Sequence, residues 1–294
     1  MPSDHPDAPT SALCPRSALA EVGVRPRKSR GQNFLTQAAI AERIVGAASI
    51  EPDDAVIEIG PGLGILTDQI VAGRFGSLTL VELDSHLAAR LNERLQSDTR
   101  VTLINQDFLH IDLEDVIRSP VKIIGNLPFN VAAAILERVC AFSRKISRMV
   151  LMFQREVADR IRARPGDSDY GALSAFTALY WEVIEHFRVA AGNFHPKPKI
   201  DAEVLVFIPR APAWSDAEED AIRATIRASF SAPRKTMRNS LAGGLHVSTA
   251  AAESSLLEAA IDPSLRPGVL AVADFIRLAR ALKHNGLLLD SCDA

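Results

Sequence analysis

The chain has 294 residues, enough for about two domains at roughly 150 residues each. Hydrophobic residues make up 47% and charged residues 23%, an ordinary globular composition, and no apolar run approaches the ~20 residues that span a bilayer, which excludes a membrane-embedded helical protein. The net charge of −3 supplies no general pull toward nucleic acid, so such a partner has to be read from local clusters.

The three cysteines, Cys14, Cys140 and Cys292, are scattered and form no CxxC pair. Neither a zinc site nor a disulfide framework is indicated, no other metal-ligand cluster is evident, and a reducing, cytoplasmic setting is expected. Residues 1–24 mix acids and prolines without an apolar signal core and read as a disordered tail. Arg25, Arg27, Lys28 and Arg30 then cluster just before Gly31-Gln32-Asn33-Phe34-Leu35, where they could meet phosphate. A helix is predicted from Thr36 to Ala48, with Thr36 as its N-cap and Ile40, Ile44 and Val45 on one face.

Ala55 to Ile59 reads as a strand, followed by the turn Gly60-Pro61-Gly62-Leu63-Gly64 and a helical run. Glycines at such a turn admit positive φ and a close approach of backbone to ligand. Ile65 stands where a nicotinamide-type G-x-G-x-x-G would place its last glycine, which disfavours a dehydrogenase. A second strand ends in Glu82, whose carboxylate can accept from both hydroxyls of a ribose. A third, Val101 to Ile104, leads to Asp107, placed to accept from the amino group of a cofactor adenine. Gly, Glu and Asp on three successive strand ends form the order that an S-adenosylmethionine site needs.

The fourth strand carries the turn of greatest interest. Val121-Lys122-Ile123-Ile124-Gly125 leads into Asn126-Leu127-Pro128-Phe129. The nitrogen of an exocyclic adenine amine is a weak nucleophile because its lone pair is delocalised. Two oxygens accepting its hydrogens would draw it toward a tetrahedral shape. The Asn126 side-chain oxygen and the Leu127 main-chain carbonyl suit that task, Pro128 stiffens the turn, and Phe129 offers a ring for the base to stack on.

Further on, helices are predicted over Ala132 to Phe142, Gln154 to Arg164 and Leu173 to Leu179, and strands over Arg148 to Phe153, Trp181 to Val189 and Ala202 to Ile208. The pattern predicts an α/β fold with a Rossmann-like, mostly parallel seven-stranded sheet. The link between the last two strands is too short for a helical crossover, so that pair should be antiparallel. Beyond Pro209 the β signal vanishes and a small all-helical domain is expected over 210–286, with 287–294 as a tail and 25–209 as the catalytic domain. Arg223, Arg227, Arg234, Lys235 and Arg238 have no acid interspersed and favour a phosphate-facing surface. Lys197 and Lys199, in the loop before the last strand, are candidates for the same role.

Asn126-Leu127-Pro128-Phe129 resembles the Asn-Leu-Pro-Tyr motif of the rRNA adenine N6,N6-dimethyltransferases. Gly31 to Leu35, Glu58 to Gly62, Val81 to Asp84, Gln106-Asp107 and Phe194 to Asp201 are similar to that family's other motifs, in the same order, over Arg27 to about Leu282. The resemblance is to the KsgA (RsmA) branch, a class I methyltransferase fold. It implies methylation of two adjacent adenines near the 3′ end of small-subunit rRNA by a monomeric enzyme acting on the immature small subunit. It implies S-adenosylmethionine contacts at Asn33, Leu35, Gly60, Gly62, Glu82, Asp107 and Asn126, and a second wall for the target base at Phe194. One departure is Phe129, where the family usually has tyrosine: stacking survives and the hydroxyl does not. Other readings on the same residues are a large-subunit rRNA or DNA adenine methylase, and an assembly or transcription factor that has lost catalysis. The presence of Gly60, Glu82, Asp107 and Asn126 together disfavours the last.

Overall fold

The computed structural model describes residues 32–118, 120–128 and 131–288. Phe129, the 25–30 basic cluster and the proposed 1–24 tail lie outside them.

Seven strands form one sheet: β2 (Ala55–Ile59), β3 (Ser77–Val81), β4 (Val101–Ile104), β5 (Val121–Asn126), β6 (Ile146–Gln154), β7 (Trp181–Val189) and β9 (Ala202–Pro209), in the order β4-β3-β2-β5-β6-β9-β7. The first five are mutually parallel, and β9 is antiparallel to both β6 and β7. The expected seven-stranded α/β sheet is present, with the last two strands antiparallel. The final strand inserts between its predecessors, leaving β7 on the edge.

Helices cover both faces, as a parallel sheet requires: α1 (Ala38–Ala47), α2 (Ile65–Ala72), α3 (Ser85–Leu95), α4 (Leu113–Val116), α5 (Ala132–Cys140), α6 (Arg155–Arg162) and α7 (Ala172–Tyr180). Alternation along β5 shows the division. Ile123 packs into the core shared with α5, α7 and the C-terminal helices, while Ile124 packs with Leu35, Ile44, Leu66 and Phe194. After β9 the chain is helical: α8 (Asp216–Ser229), α9 (Met237–Leu245), α10 (Thr249–Glu258) and α11 (Val272–His284). One cluster of buried side chains runs from the sheet into this helical region, and Leu287 and Leu288 still pack against it, so the packed chain passes the expected boundary at 286.

Three expectations are corrected locally. The first helix begins at Ala38 with Gln37 in the cap position and no side-chain cap. The Thr36 hydroxyl is drawn away to the main-chain carbonyl of Asn193, at 3.0 Å. The helix after the Asn126 turn stops at Cys140, and a 3₁₀ turn over Ser143–Lys145 leads into β6. A small second sheet joins β1 (Phe34–Leu35) to β8 (Phe194–His195), inside what reads from the sequence as two loops.

Candidate active site

The parallel strands end side by side at one rim. Glu58 and Ile59 of β2 lie between Leu80 and Val81 of β3 and Ile124 and Gly125 of β5. The glycine turn, Glu82 and Asn126 are therefore neighbours although the sequence separates them widely. A cleft of about 750 Å³, counted to its open mouth, runs over this rim and is lined by Asn33, Leu35, Glu58, Gly60, Gly62, Glu82, Asn126, Leu127 and Pro128, with Gln32, Phe34, Pro61 and Leu83.

The glycine turn adopts the backbone that its composition suggests. Gly60, Gly62 and Gly64 have φ of 66°, 59° and 88°. A Cβ on Gly62 would also stand 3.1 Å from the Phe34 ring. With that turn in place, the Gly62 N–H donates to Glu82 Oε2 at 2.9 Å, and the Asp84 N–H donates to Oε1 at 2.8 Å. Burial pushes the Glu82 carboxyl upward, and these main-chain donors offset part of the shift. Both oxygens are oriented while keeping lone pairs for further donors.

In the sequence Glu58 is the acid inside an otherwise apolar strand and opens the Glu58 to Gly62 motif; its burial and its open oxygen emerge from the fold. It is buried, lines the cleft, accepts from the Thr67 hydroxyl at 2.7 Å on Oε2, and has no partner on Oε1. Burial pushes its pKa up to about 8. An uncompensated buried carboxyl is costly unless it is neutral or meets a cation.

At the end of β5 the Asn126 Nδ2–H donates to the main-chain carbonyl of Asn33 at 3.0 Å. This bond assigns the nitrogen to the protein and leaves Oδ1 for a ligand. Gly125 is required beside it, because a Cβ there would meet Leu127 Cδ2 at 2.9 Å and the Ile59 carbonyl at 3.0 Å. The Leu127 side chain is buried in the core and anchors the turn.

Other predicted residues lie elsewhere. Asp107 accepts from the Leu109 N–H at 2.9 Å, stands 3.1 Å from His110 Nδ1, and does not line the cleft. Phe194 is a core ring in this conformation, with an exposure of 4%. Its pairing with Leu35 turns it into the core beside Val189 and Ala202, not out as an open wall. Lys197 and Lys199 are exposed on the same loop.

The basic run is also less uniform than its sequence. Arg227 pairs with Glu137 of α5 at 2.7 Å, Arg238 with Glu253 of α10 at 3.2 Å, and Arg223 lies 3.9 Å from Glu219 and 4.0 Å from Glu137. Glu137 and Glu253 come from other elements, which a linear reading does not reveal, while Glu219 sits one turn before Arg223 on the same helix. Arg234 and Lys235 are exposed and have no ion pair among the described residues. Among those residues no cluster of potential metal ligands is found, and no helix is long and apolar enough to cross a membrane.

The sequence model of the ribosomal RNA adenine dimethylases matches residues 23–283, spanning every element that builds this cleft. The chain belongs to the ribosomal RNA adenine dimethylase family. Its relatives include ribosomal RNA small subunit methyltransferase A of Geobacter metallireducens, 37% identical over 90% of this chain and 98% of that protein. The protein of the same name from Moorella thermoacetica is 38% identical over 93% and 99%. Among solved structures, a dimethyladenosine transferase from Plasmodium falciparum shares the fold with a TM-score of 0.73 at 22% identity, over 86% of this chain and 98% of that one. The 23S rRNA methyltransferase ErmE is similar at a TM-score of 0.62 and 27% identity, over 85% and 100%. As a dimethylase of this family, the chain is an enzyme with a class I methyltransferase fold.

Proposed function

We propose that this dimethylase transfers methyl groups from S-adenosylmethionine to N6 of two adjacent adenines in the 3′-terminal hairpin loop of small-subunit rRNA. The observation that carries this reading is the Asn126 amide, whose nitrogen is held by Asn33, leaving its oxygen for a ligand in the cleft that it lines with Glu82. The near full-length likeness to small-subunit methyltransferases supports the choice of subunit.

The donor set fits the cofactor. Glu82 offers oriented acceptors for ribose hydroxyls, and the unpartnered Glu58 oxygen offers a counter-charge for a cationic tail. When bound, S-adenosylmethionine supplies an electrophilic methyl on a sulfonium. Gly60 and Gly62 let the backbone approach it, with Asn33 and Leu35 closing one side. Asp107 remains a proposed adenine contact, made from outside the cleft described above.

Asn126 Oδ1 and the Leu127 carbonyl accept the two N6 hydrogens, which localises the nitrogen lone pair for in-line attack. Catalysis is then mainly orientation and electrostatic stabilisation. Phe129 stacks on the base, with Phe194 on the opposite side once its loop has adjusted to the substrate. A monomethylated adenine retains one N–H for these acceptors and can return for a second transfer. A dimethylated adenine retains none, so the product loses the contacts that held it.

In this reading 25–209 form the methyltransferase domain and 210–286 a helical RNA-binding domain. Arg27, Lys28, Arg30, Lys197, Lys199, Arg223, Arg227, Arg234, Lys235 and Arg238 contribute to the RNA surface. The enzyme acts as a cytoplasmic monomer on the immature small subunit. The test is methyl transfer from labelled donor to small-subunit particles lacking the modification, with naked rRNA, large-subunit particles and DNA as parallel acceptors. Dimethyladenosine in small-subunit rRNA is expected. Labelling confined to DNA or to large subunits overturns the assignment.

A further inference from the structure

A second cavity, of about 1200 Å³ counted to its open mouth, lies along β7 from Trp181 to His186, on the edge strand three places from β5. Strand register sets its Trp181 end away from the Asn126 turn. Asn126 pairs with Met152 and Met152 with Val204, whereas Trp181, in the cavity wall, pairs with Pro209 at the other end of β9. Arg162 and Arg164 reach the cavity from the end of α6, Thr177 from α7, His186 from β7, and Arg210 from just beyond β9.

Its lining holds more donors than the protein satisfies. The terminal nitrogens of Arg162 are committed to Asp159 at 3.0 Å, Glu203 at 3.1 Å and His186 at 3.2 Å, but its Nε is buried without a partner. Thr177 is 2% exposed and its hydroxyl also has no partner. Arg210 donates Nε–H to the Trp181 carbonyl at 3.0 Å, and neither Arg210 nor Arg164 has an ion pair among the described residues. Of the acids nearby, Asp159 and Glu203 are held by Arg162, Asp167 accepts from the Arg164 main chain, and Asp274 caps α11. Glu182 is the one carboxylate among the residues that line the cavity. Unfilled N–H and O–H groups beside two guanidiniums without a carboxylate partner match a ligand rich in acceptor oxygens and negative charge. Phosphate has that chemistry.

The exposed turn of Arg234 and Lys235 is tied to the cavity wall through packed neighbours. The Phe230 ring packs on Tyr170, with centroids 6.1 Å apart, and the Tyr170 hydroxyl donates to Leu270. Gly166 N–H donates to the Gly268 carbonyl at 2.8 Å, and Met237 N–H to that of Leu265 at 2.6 Å. The 263–272 segment therefore bridges the Arg234–Lys235 turn and the cavity. A single strand following that turn would bring its phosphates to Arg164 and Arg210.

We propose that this cavity seats backbone phosphates of the substrate RNA, at a position outside the nucleotides that enter the Asn126 site. The inference rests on the RNA substrate proposed above, but its test is separable. Binding of small-subunit rRNA is measured against potassium chloride concentration for the wild type, for Arg164→Ala/Arg210→Ala and for Arg164→Lys/Arg210→Lys, with cofactor affinity and thermal melting followed in each. The alanine pair is expected to bind RNA about tenfold more weakly at low salt and to flatten the log–log salt slope by about 1 to 2. Cofactor affinity and melting should be unchanged, and the lysine pair should retain most of the RNA affinity. An unchanged slope in the alanine pair overturns the proposal. So does a cavity that binds inorganic phosphate or a mononucleotide while RNA affinity is indifferent to both arginines. If the wild type fails to methylate small-subunit particles but the alanine pair still flattens the slope, the functional reading falls and the phosphate seat stands.

Discussion

Asn126 and Asn33 are joined by one hydrogen bond, from the Asn126 Nδ2–H to the Asn33 main-chain carbonyl, at 3.0 Å. The segment before α1 thus sets which way the amide at the end of β5 faces. Asn126→Asp keeps the shape but sets a carboxylate oxygen against the Asn33 carbonyl. Single-turnover methyl transfer should slow by about 10²–10³-fold, the scale for loss of one preorganised polar contact. Fold and melting temperature should change little. Near-normal turnover would remove Asn126 from the acceptor role.

Glu58 makes the site sensitive to pH. Its folded pKa of about 8 lies above the ordinary carboxylate value of 4.5, and burial is the main cause, with the nearby Asp68 and Glu82 adding repulsion and Arg94 opposing them. The stability it contributes is fully present below the unfolded pKa and is lost as pH rises through about 8, at a slope of at most roughly 1.4 kcal/mol per pH unit. Glu58→Gln should flatten that segment of the profile in denaturant unfolding. A bound cationic ligand favours the ionised form, so cofactor binding near neutral pH should release a proton, and titration calorimetry in buffers of different ionisation enthalpy reads it directly. The Gln variant should bind more weakly and without proton release. Equal proton release in both proteins would exclude Glu58 as the source.

Glu82 takes the Gly62 and Asp84 N–H groups on separate oxygens. Glu82→Gln forces an NH₂ against one of those donors, so a buried N–H is left without an acceptor at a cost of about 1–3 kcal/mol. Cofactor affinity should fall about tenfold or more, measured by calorimetry or fluorescence, with a matching drop in melting temperature. Unchanged affinity would place the ribose elsewhere.

Gly62→Ala tests the glycine turn. Its φ of 59° and the 3.1 Å approach to Phe34 together oppose a methyl group. The left-handed backbone alone costs roughly 1–2 kcal/mol for an alanine. Melting a few degrees lower and a weakened cofactor complex are the expected outcomes. Gly46→Ala, at a position with nothing within 4 Å of the new carbon, is the control that should do neither.

Phe129 carries the base-stacking prediction. Phe129→Ala should remove most activity while leaving cofactor affinity intact, since stacking of one base on an aromatic ring is worth about 1–3 kcal/mol. Phe129→Tyr should stay within a few-fold of the wild type, because the acceptors are Asn126 and the Leu127 carbonyl. A hundredfold gain in the tyrosine variant would show that the hydroxyl does more than adjust position.

What the sequence made legible was local and periodic. Apolar runs closed by glycine, glutamate or asparagine placed Gly60, Glu82 and Asn126 at strand ends, and parallel order then made them neighbours. The β1–β8 pair was hidden because two residues per strand carry no period. Asp107 and Phe194 had the right chemistry in the chain, but turn hydrogen bonds and core packing decided where their side chains lie. Arg227 read as a free cation because its partner, Glu137, sits 90 residues away. Pairing at that range belongs to the tertiary fold, as does the burial of Glu58.

Strand β9 has a further consequence. Its eight residues run from the Lys197–Lys199 loop at the catalytic rim to Arg210 at the second cavity. At about 3.3 Å per residue, that is roughly 26 Å of rigid, doubly paired backbone. The two groups of cations are therefore fixed at the ends of a ruler. On the RNA path proposed above, an oligonucleotide shorter than the ruler is expected to occupy one end or the other, and a longer, folded RNA to be held at both while presenting its adenine to Asn126.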